Sequence, residues 1–407
     1  MKNLLLILSF VAVSNYLVAQ ISGCTDPLAT NYNSEATQND GSCYYNPSSV
    51  SPLENWNLPE IVLETSGLIT WDERIWTHND NTDIQVYAFD MVNKADYQSY
   101  TLTGAENKDW EEISQDENYV YIGDFGNNQN GNRTDLKILR IEKNSLLGNS
   151  PVIDTINFTY SLQTDFSPTG SNNTDYDCES FIVSSDSIYL FTKEWVSEKT
   201  RQFSLPKEPG TYIARFRSEH DVEGLITGAT YLESKKLIVL SGYTSFLMPF
   251  LYLLYDFEED DFFSGNKRRV SINLNFHQVE GITSEDGQIV YISNEKFSQS
   301  LVTTTQKLHK IDLTDFLIGY INSISGANIQ KTEDNISIYP NPVTHSVSIK
   351  VDASIIGHEY RIMDFTGRIY LQGQLTGENL HLNLEQLVEG SYLFVIDRHL
   401  YRKFIKY

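Results

Sequence analysis

The sequence is short of cysteine, of positive charge and of long apolar runs, and each shortage removes a class of function. Lysine and arginine number 30 against 54 aspartates and glutamates, for a formal charge of −24. A chain this acidic is repelled by nucleic acid and by anionic lipid, so neither a nucleic acid polymer nor a membrane surface is expected as a partner. The charge suits a solvated extracellular protein or one that holds divalent cations. No stretch reaches the ~20 apolar residues that a spanning helix needs. The most apolar runs, 4–13 and 246–255, are far shorter, and Pro249 interrupts the second. No transmembrane segment is expected. No Ser-His-Asp order, phosphate-binding glycine loop or Cys/His metal spacing occurs either.

The three cysteines are Cys24, Cys43 and Cys178. Ahead of them, Lys2, the apolar run 4–13 and the small and polar residues up to Ala19 have the layout of a secretory signal peptide spanning 1–19. An exported chain meets an oxidising compartment, where Cys24 and Cys43 are expected to form a disulfide. Such a bridge contributes roughly 3 kcal/mol by closing a short loop. The segment it staples, within 20–58, has too little apolar content to fold alone. Its pattern, CTDPLATNY…NDGSC, resembles a short two-cysteine module of secreted multidomain proteins. Cys178 has no histidine beside it and is expected to be a buried, inert thiol.

What the sequence has in quantity is aromatic residues, 25 Tyr and 20 Phe, together with 23 Gly. Aromatics favour pleated, half-buried surfaces, so the fold class expected is all-β. At ~150 residues per domain, 407 residues make two or three domains.

Residues 59–322 contain five repeats. Each opens on a polar residue, then a small or acidic one, then an apolar one: Ser66-Gly67-Leu68, Glu111-Glu112-Ile113, Glu179-Ser180-Phe181, Thr227-Gly228-Ala229 and Glu280-Gly281-Ile282. A second strand follows after a turn and ends at Asn79, Asp124, Lys193, Gly242 and Asn294 in turn. Third strands follow in every repeat and fourth strands in the first four. An orphan strand at 60–64 precedes the first repeat, so the expected architecture is a closed five-bladed β-propeller whose last blade takes its outer strand from 60–64. A six-bladed ring using 46–58 is the alternative.

From residue 333 the pattern changes to seven short alternating strands, which suggests a small immunoglobulin-like sandwich over 333–407, joined by a polar linker at 323–332. Tyr339-Pro340-Asn341-Pro342, Asp364-Phe365-Thr366-Gly367-Arg368, Leu387…Gly390-Ser391-Tyr392 and the terminal Lys403-Phe404-Ile405-Lys406-Tyr407 resemble the type A sorting domain of the type IX secretion system. The resemblance implies transport through the outer membrane of a Gram-negative bacterium by that machinery. It further implies release or attachment at the cell surface, usually with loss of the domain.

In a propeller the first strand of each blade lines the central channel, which brings Ser66, Glu111, Glu179, Thr227 and Glu280 together. Three carboxylates there repel one another unless a cation or protons intervene. Five oxygen ligands and water suit Ca²⁺ better than Zn²⁺. The order hydroxyl–Glu–Glu–hydroxyl–Glu resembles the central calcium site of the calcium-activated apyrase family, five-bladed propellers that hydrolyse nucleoside di- and triphosphates. Thr227 stands where serine is usual there, and that family's other substrate-binding motifs have no clear match.

The second-strand ends are expected at the same mouth: His78, Asn79, Asp80, Asp124, Asn127, Arg133, Lys193, Glu194, Asn294, Glu295 and Lys296. Arg133, Lys193 and Lys296 could hold a phosphate, and Glu194 or Glu295 could act as a base on a metal-polarised water. Trp195 and Tyr243 could stack on a sugar or a base. Two function classes follow. One is a binding module presenting its loop face to a glycan, a peptide or a phosphorylated small molecule. The other is a calcium-dependent hydrolase of phosphate anhydrides or esters.

Overall fold

The computed structural model describes residues 20–299, 302–325, 336–351, 355–363, 369–396 and 400–407. The expected signal peptide, linker residues 326–332 and the motif at 364–368 lie outside them. The chain is all-β and divides into two compact units, Met1–Ile321 and Asn322–Tyr407. Among the described residues no helix is long and apolar enough to cross a membrane.

Among the described residues the first unit holds five large sheets, each begun in chain order, besides two two-stranded ones, Ser22–Gly23 with Gln38–Asn39 and Phe297–Gln299 with Val302–Thr304. The first runs Thr65–Trp71, Arg74–Asn79, Gln85–Asp90, Tyr97–Thr101; the second Trp110–Gln115, Tyr119–Asp124, Lys137–Glu142, Ile153–Tyr160. The third runs Asp177–Val183, Ser187–Lys193, Lys199–Pro206, Gly210–Asp221. Its last strand pairs in parallel with the last strand of the second, fusing the two into one eight-stranded sheet. The fourth sheet is Leu225–Leu232, Leu237–Tyr243, Pro249–Tyr255, Asn266–Ile272, and the fifth begins Val279–Thr283, Ile289–Asn294, Lys307–Asp312. Each first strand lies beside the first strand of the next sheet, and the fifth lies beside the first.

That cyclic contact explains two sequence features. Pro249–Tyr255 reads as a continuous apolar run because every position in it is buried, as in strands covered on both faces. Small residues stand where first strands touch. A Cβ on Gly228 would sit 2.2 Å from the carbonyl oxygen of Glu280, and one on Gly281 2.7 Å from that of Ser66. Side chains fill the spaces between sheets, with Phe125, Phe158, Phe181 and Phe203 fully buried between the second and third. Truncating one such ring to alanine costs about 3–5 kcal/mol.

The fifth sheet does take its outer strand from the N-terminal side, but from a different place than 60–64. Glu54–Asn57 pairs antiparallel with Lys307–Asp312. Residues Glu60–Val62 form a single 3₁₀ turn instead. Pro59 supplies the reason: it lacks an N–H and has a fixed φ, so the ladder stops before it. Residues 46–58, which a sixth sheet would need, are divided. Ser49–Val50 adds a parallel fifth strand to the fourth sheet, and Glu54–Asn57 completes the fifth. The stapled segment is bonded as expected, Cys24 to Cys43, and Cys178 is a buried free thiol whose pKa burial pushes up to about 12. Two α-helices among the described residues went unforeseen: Lys143–Leu147 follows the third strand of the second sheet, and Thr314–Ser325 runs three residues into the stretch read as linker.

Among the described residues the second unit has seven strands, in the order read from the sequence. Ile336–Tyr339, Ser346–Val351 and Asn379–Asn383 form one sheet. Glu359–Met363, Ile369–Gln374, Gly390–Ile396 and Leu400–Lys406 form the other. Val347, Ile349, Ile362, Phe394 and Phe404 belong to one core shared by both sheets.

Candidate functional site

The five leading residues of the repeats, Ser66, Glu111, Glu179, Thr227 and Glu280, are all buried on first strands. Their two hydroxyls join neighbouring sheets. Ser66 Oγ donates to the carbonyl oxygen of Glu111, and Thr227 Oγ1 donates to that of Val279 at 2.6 Å.

The three carboxylates differ in their partners. Glu179 is ion-paired with Lys193, whose ammonium also lies 3.0 Å from the Tyr243 hydroxyl. The same ammonium stands 4.7 Å from the Trp195 ring centroid and 5.1 Å from that of Tyr243. Glu111 is 6% exposed and Glu280 8%. Among the described residues no hydrogen bond or ion pair reaches either carboxylate.

Their surroundings are acidic. Burial raises the pKa of Glu111 well above the usual range, and Glu179, Asp109, Asp177 and Asp80 raise it further. Burial does the same to Glu280; Lys193 opposes, while Glu179, Glu295 and Asp80 add to it. Burial pushes Glu179 up to about 8 against the pull of Lys193, Asp80 to about 8, Glu295 to about 7 and Asp109 to about 6. Gly126 belongs to this cluster because any Cβ there would lie 2.1 Å from Glu111 Oε1 and 2.4 Å from Asp109 Oδ2. Among the described residues, no three His, Cys, Asp or Glu side chains stand close enough together to hold a metal ion.

Of the residues expected at the mouth, Asp80, Lys193 and Glu295 share this field. The others are tied into local structure. His78 is fully buried, edge-on to Trp110 at 5.8 Å, and burial drives its pKa down to about 4. Asn79 donates to the carbonyl of Ile61 and to Asp83. Asp124 is ion-paired with Arg133 at 2.8 Å and Lys137 at 3.2 Å, and Arg133 also reaches Asp135. Glu194 accepts from Thr192 and Ser197 and pairs with Arg201. Asn294 accepts from His309 Nε2 at 2.7 Å and donates to two carbonyls. Asn127 donates to the carbonyl of Tyr176, and Lys296 is exposed.

Three acids of the centre were missed: Asp109, Glu112 and Asp177. A signal for two of them existed. Asp109-Trp110-Glu111 and Asp177-Cys178-Glu179 repeat the same Asp-x-Glu spacing at the head of a first strand. Asp177 accepts from the Asn127 amide at 2.6 Å and from Trp195 Nε1 at 2.7 Å, and so orients the ring beside Lys193.

No curated protein matches the chain. Among solved structures it is similar to PorZ of Porphyromonas gingivalis, described as an essential bacterial surface component of the type-IX secretion system. The identity is 11% and the TM-score 0.32, over 84% of this chain and 45% of that one, so this chain spans less than half its length. A putative oxidoreductase (glucose dehydrogenase) from Thermus thermophilus is 11% identical with a TM-score of 0.37, over 63% of this chain and 99% of that one. A chain of the mitotic checkpoint complex is 9% identical with a TM-score of 0.34, over 66% of this chain and 96% of that one. These are distant likenesses of backbone course and imply no shared activity. The family comparison is specific: residues 337–406 match the secretion system C-terminal sorting domain. The second unit is therefore the sorting domain of a type IX secretion substrate, and the protein that carries it is secreted, to be released or held at the outer cell surface.

Proposed function

We propose that the first unit is a five-bladed β-propeller and that the protein is a cell-surface or extracellular binding module with a cation at the propeller's centre. The observation that carries this is the pair of buried carboxylates, Glu111 and Glu280, with no partner of their own among the described residues. Buried charge without compensation is costly, and it is relieved by protons or by a bound cation. Ca²⁺ is the cation whose chemistry suits an all-oxygen set.

The fit to Ca²⁺ is partial. Ser66 and Thr227 spend their protons on backbone carbonyls and keep lone pairs, and Glu111 and Glu280 are uncommitted, which favours an ion. Glu179 is taken by Lys193, and no three acids converge among the described residues, which opposes one. Ser66, Glu111, Thr227 and Glu280 would hold the ion, and it would supply the positive charge that Lys193 does not. The binding reading is preferred to a hydrolase of phosphate anhydrides because Arg133 and Lys193, two of the three cations able to hold a phosphate, already pair with carboxylates.

Calorimetric titration of the chelated full chain with Ca²⁺, wild type beside Glu280→Gln, tests this. Saturable binding that weakens in the variant is expected. At a hundredfold excess over Kd the wild type then gains about 2.7 kcal/mol of stability. Absence of binding, or equal binding by the variant, overturns the calcium site.

A further inference from the structure

A groove of about 500 Å³ lies between the stapled segment and the fourth sheet, away from the centre. One wall is the chain from Cys43 to Ser48; the other includes Tyr252 and Arg269 on the sheet's third and fourth strands. The wall next to the disulfide is firmly docked. Asn39 Nδ2 donates to Asp256 Oδ2 at 2.9 Å and Asn266 Oδ1 at 3.0 Å, Tyr45 shares a hydrogen bond of 3.0 Å with the Tyr255 hydroxyl, and Ser49–Val50 pairs with the sheet edge.

Two polar atoms on opposite walls, Arg269 Nε and Ser48 Oγ, have no hydrogen-bond partner among the described residues. Arg269 has no carboxylate at ion-pair distance there. Its guanidinium rests 4.1 Å from the Phe250 ring centroid, one Nη donates weakly to the carbonyl of Glu223 at 3.4 Å, and its Nε has no partner. Ser48 Oγ is likewise buried and unpaired. Leaving such groups unmatched costs free energy that a ligand can return. Beside them Tyr44 is 58% exposed, although its backbone is fixed by hydrogen bonds to Asn31 and Thr30.

The ligand chemistry follows from these three groups. A planar guanidinium without an ion pair matches a carboxylate through two parallel hydrogen bonds. A hydroxyl and an exposed aromatic face suit the hydroxyls and the apolar face of a sugar ring, and the volume is that of a small-molecule site. The exposed rim acids Asp221 and Glu223, on a chain of net charge −24, disfavour a polyanion. We propose that this groove binds a mono- or disaccharide-sized sugar acid carrying one carboxylate, and that the disulfide-stapled segment serves as its fixed wall.

Titration of the full secreted chain with glucuronate, glucose and acetate tests the site. Glucuronate is expected to bind at least tenfold more tightly than either of the others. Arg269→Gln is expected to abolish that preference, and Tyr44→Ala to weaken both sugars severalfold. No saturable binding of glucuronate, or equal affinity for glucose, overturns the proposal. Should Arg269→Gln fail to fold, Ser48→Ala and the exposed Tyr44→Ala decide it: glucuronate affinity within twofold of wild type in both overturns the site. None of these outcomes depends on whether the centre holds calcium.

Discussion

Glu112, on the first strand of the second sheet, accepts a hydrogen bond at 2.8 Å from the amide of Ala229 on the first strand of the fourth. The two residues are 117 positions apart and their sheets are not neighbours in chain order. The other carboxylate oxygen accepts from Ile113 at 3.0 Å, so one fully buried side chain closes the amide bonding of two sheets.

Glu112→Ala leaves two buried amides without acceptors. At about 1–3 kcal/mol for each unsatisfied group, the loss is roughly 2–6 kcal/mol. Chemical denaturation of the first unit should show it as a lower midpoint with an unchanged slope. A midpoint equal to wild type would mean that water replaces the carboxylate without cost.

Lys193→Met strips the ammonium from Glu179 inside the centre. Breaking a buried ion pair from one side costs about 3–5 kcal/mol. The cost should grow with pH, because without the ammonium the Glu179 carboxyl avoids it only by holding a proton. Removing both charges in Lys193→Met/Glu179→Leu should recover most of the loss. Thermal melts at pH 6 and pH 8 of the single and double variants measure both effects.

His309 gives a pH dependence of definite sign. Its Nε2 donates to Asn294 Oδ1 at 2.7 Å while Nδ1 faces the side-chain amide of Asn55 at 2.5 Å, and burial first, then His277 and Lys307, depress its pKa to about 3. The unfolded chain takes up this proton near pH 6.5 and the folded one does not. Its contribution is therefore complete above pH 6.5 and is lost as pH falls, at up to about 1.4 kcal/mol per pH unit. The stability difference between wild type and His309→Gln should shrink between pH 6.5 and 4. A constant difference would show that His309 keeps an ordinary pKa.

Deleting residues 333–407 removes the core of the second unit without touching that of the first. The remainder should keep its melting temperature and stay inside the outer membrane. Efficient appearance of the truncated chain in the medium would contradict the role of the sorting domain.

Removing residues through Asn57 takes away the partner of Lys307–Asp312 and leaves an open edge. A lower melting temperature and concentration-dependent aggregation are expected by light scattering. A shorter truncation through Asn46 keeps both Ser49–Val50 and Glu54–Asn57 and should aggregate less.

Much of this molecule was legible in the chain because the signals are local. Strands announce themselves by alternation, and four of the five second strands end where their polar residues stand, at Asn79, Asp124, Lys193 and Asn294. The Cys24–Cys43 pairing, the buried thiol of Cys178 and the sorting motifs were read from residues near one another in sequence. The five leading residues of the repeats fall on first strands, because strand positions follow from local alternation.

What the repeat could not say is which partner each side chain takes. Lys193 was a candidate to hold a phosphate, yet it holds Glu179; Arg133 holds Asp124; Glu112 reaches Ala229. The strand that completes the fifth sheet was displaced from 60–64 to Glu54–Asn57, because Pro59 ends the ladder and Lys307–Asp312 accepts the stretch before it. Sequence alone determined the strands, the staple and the export domain, since alternation, cysteine spacing and short motifs are properties of neighbouring residues. Only the tertiary structure decided the pairing of buried charges and the closing strand, because those depend on groups that cyclic packing brings together from distant parts of the chain.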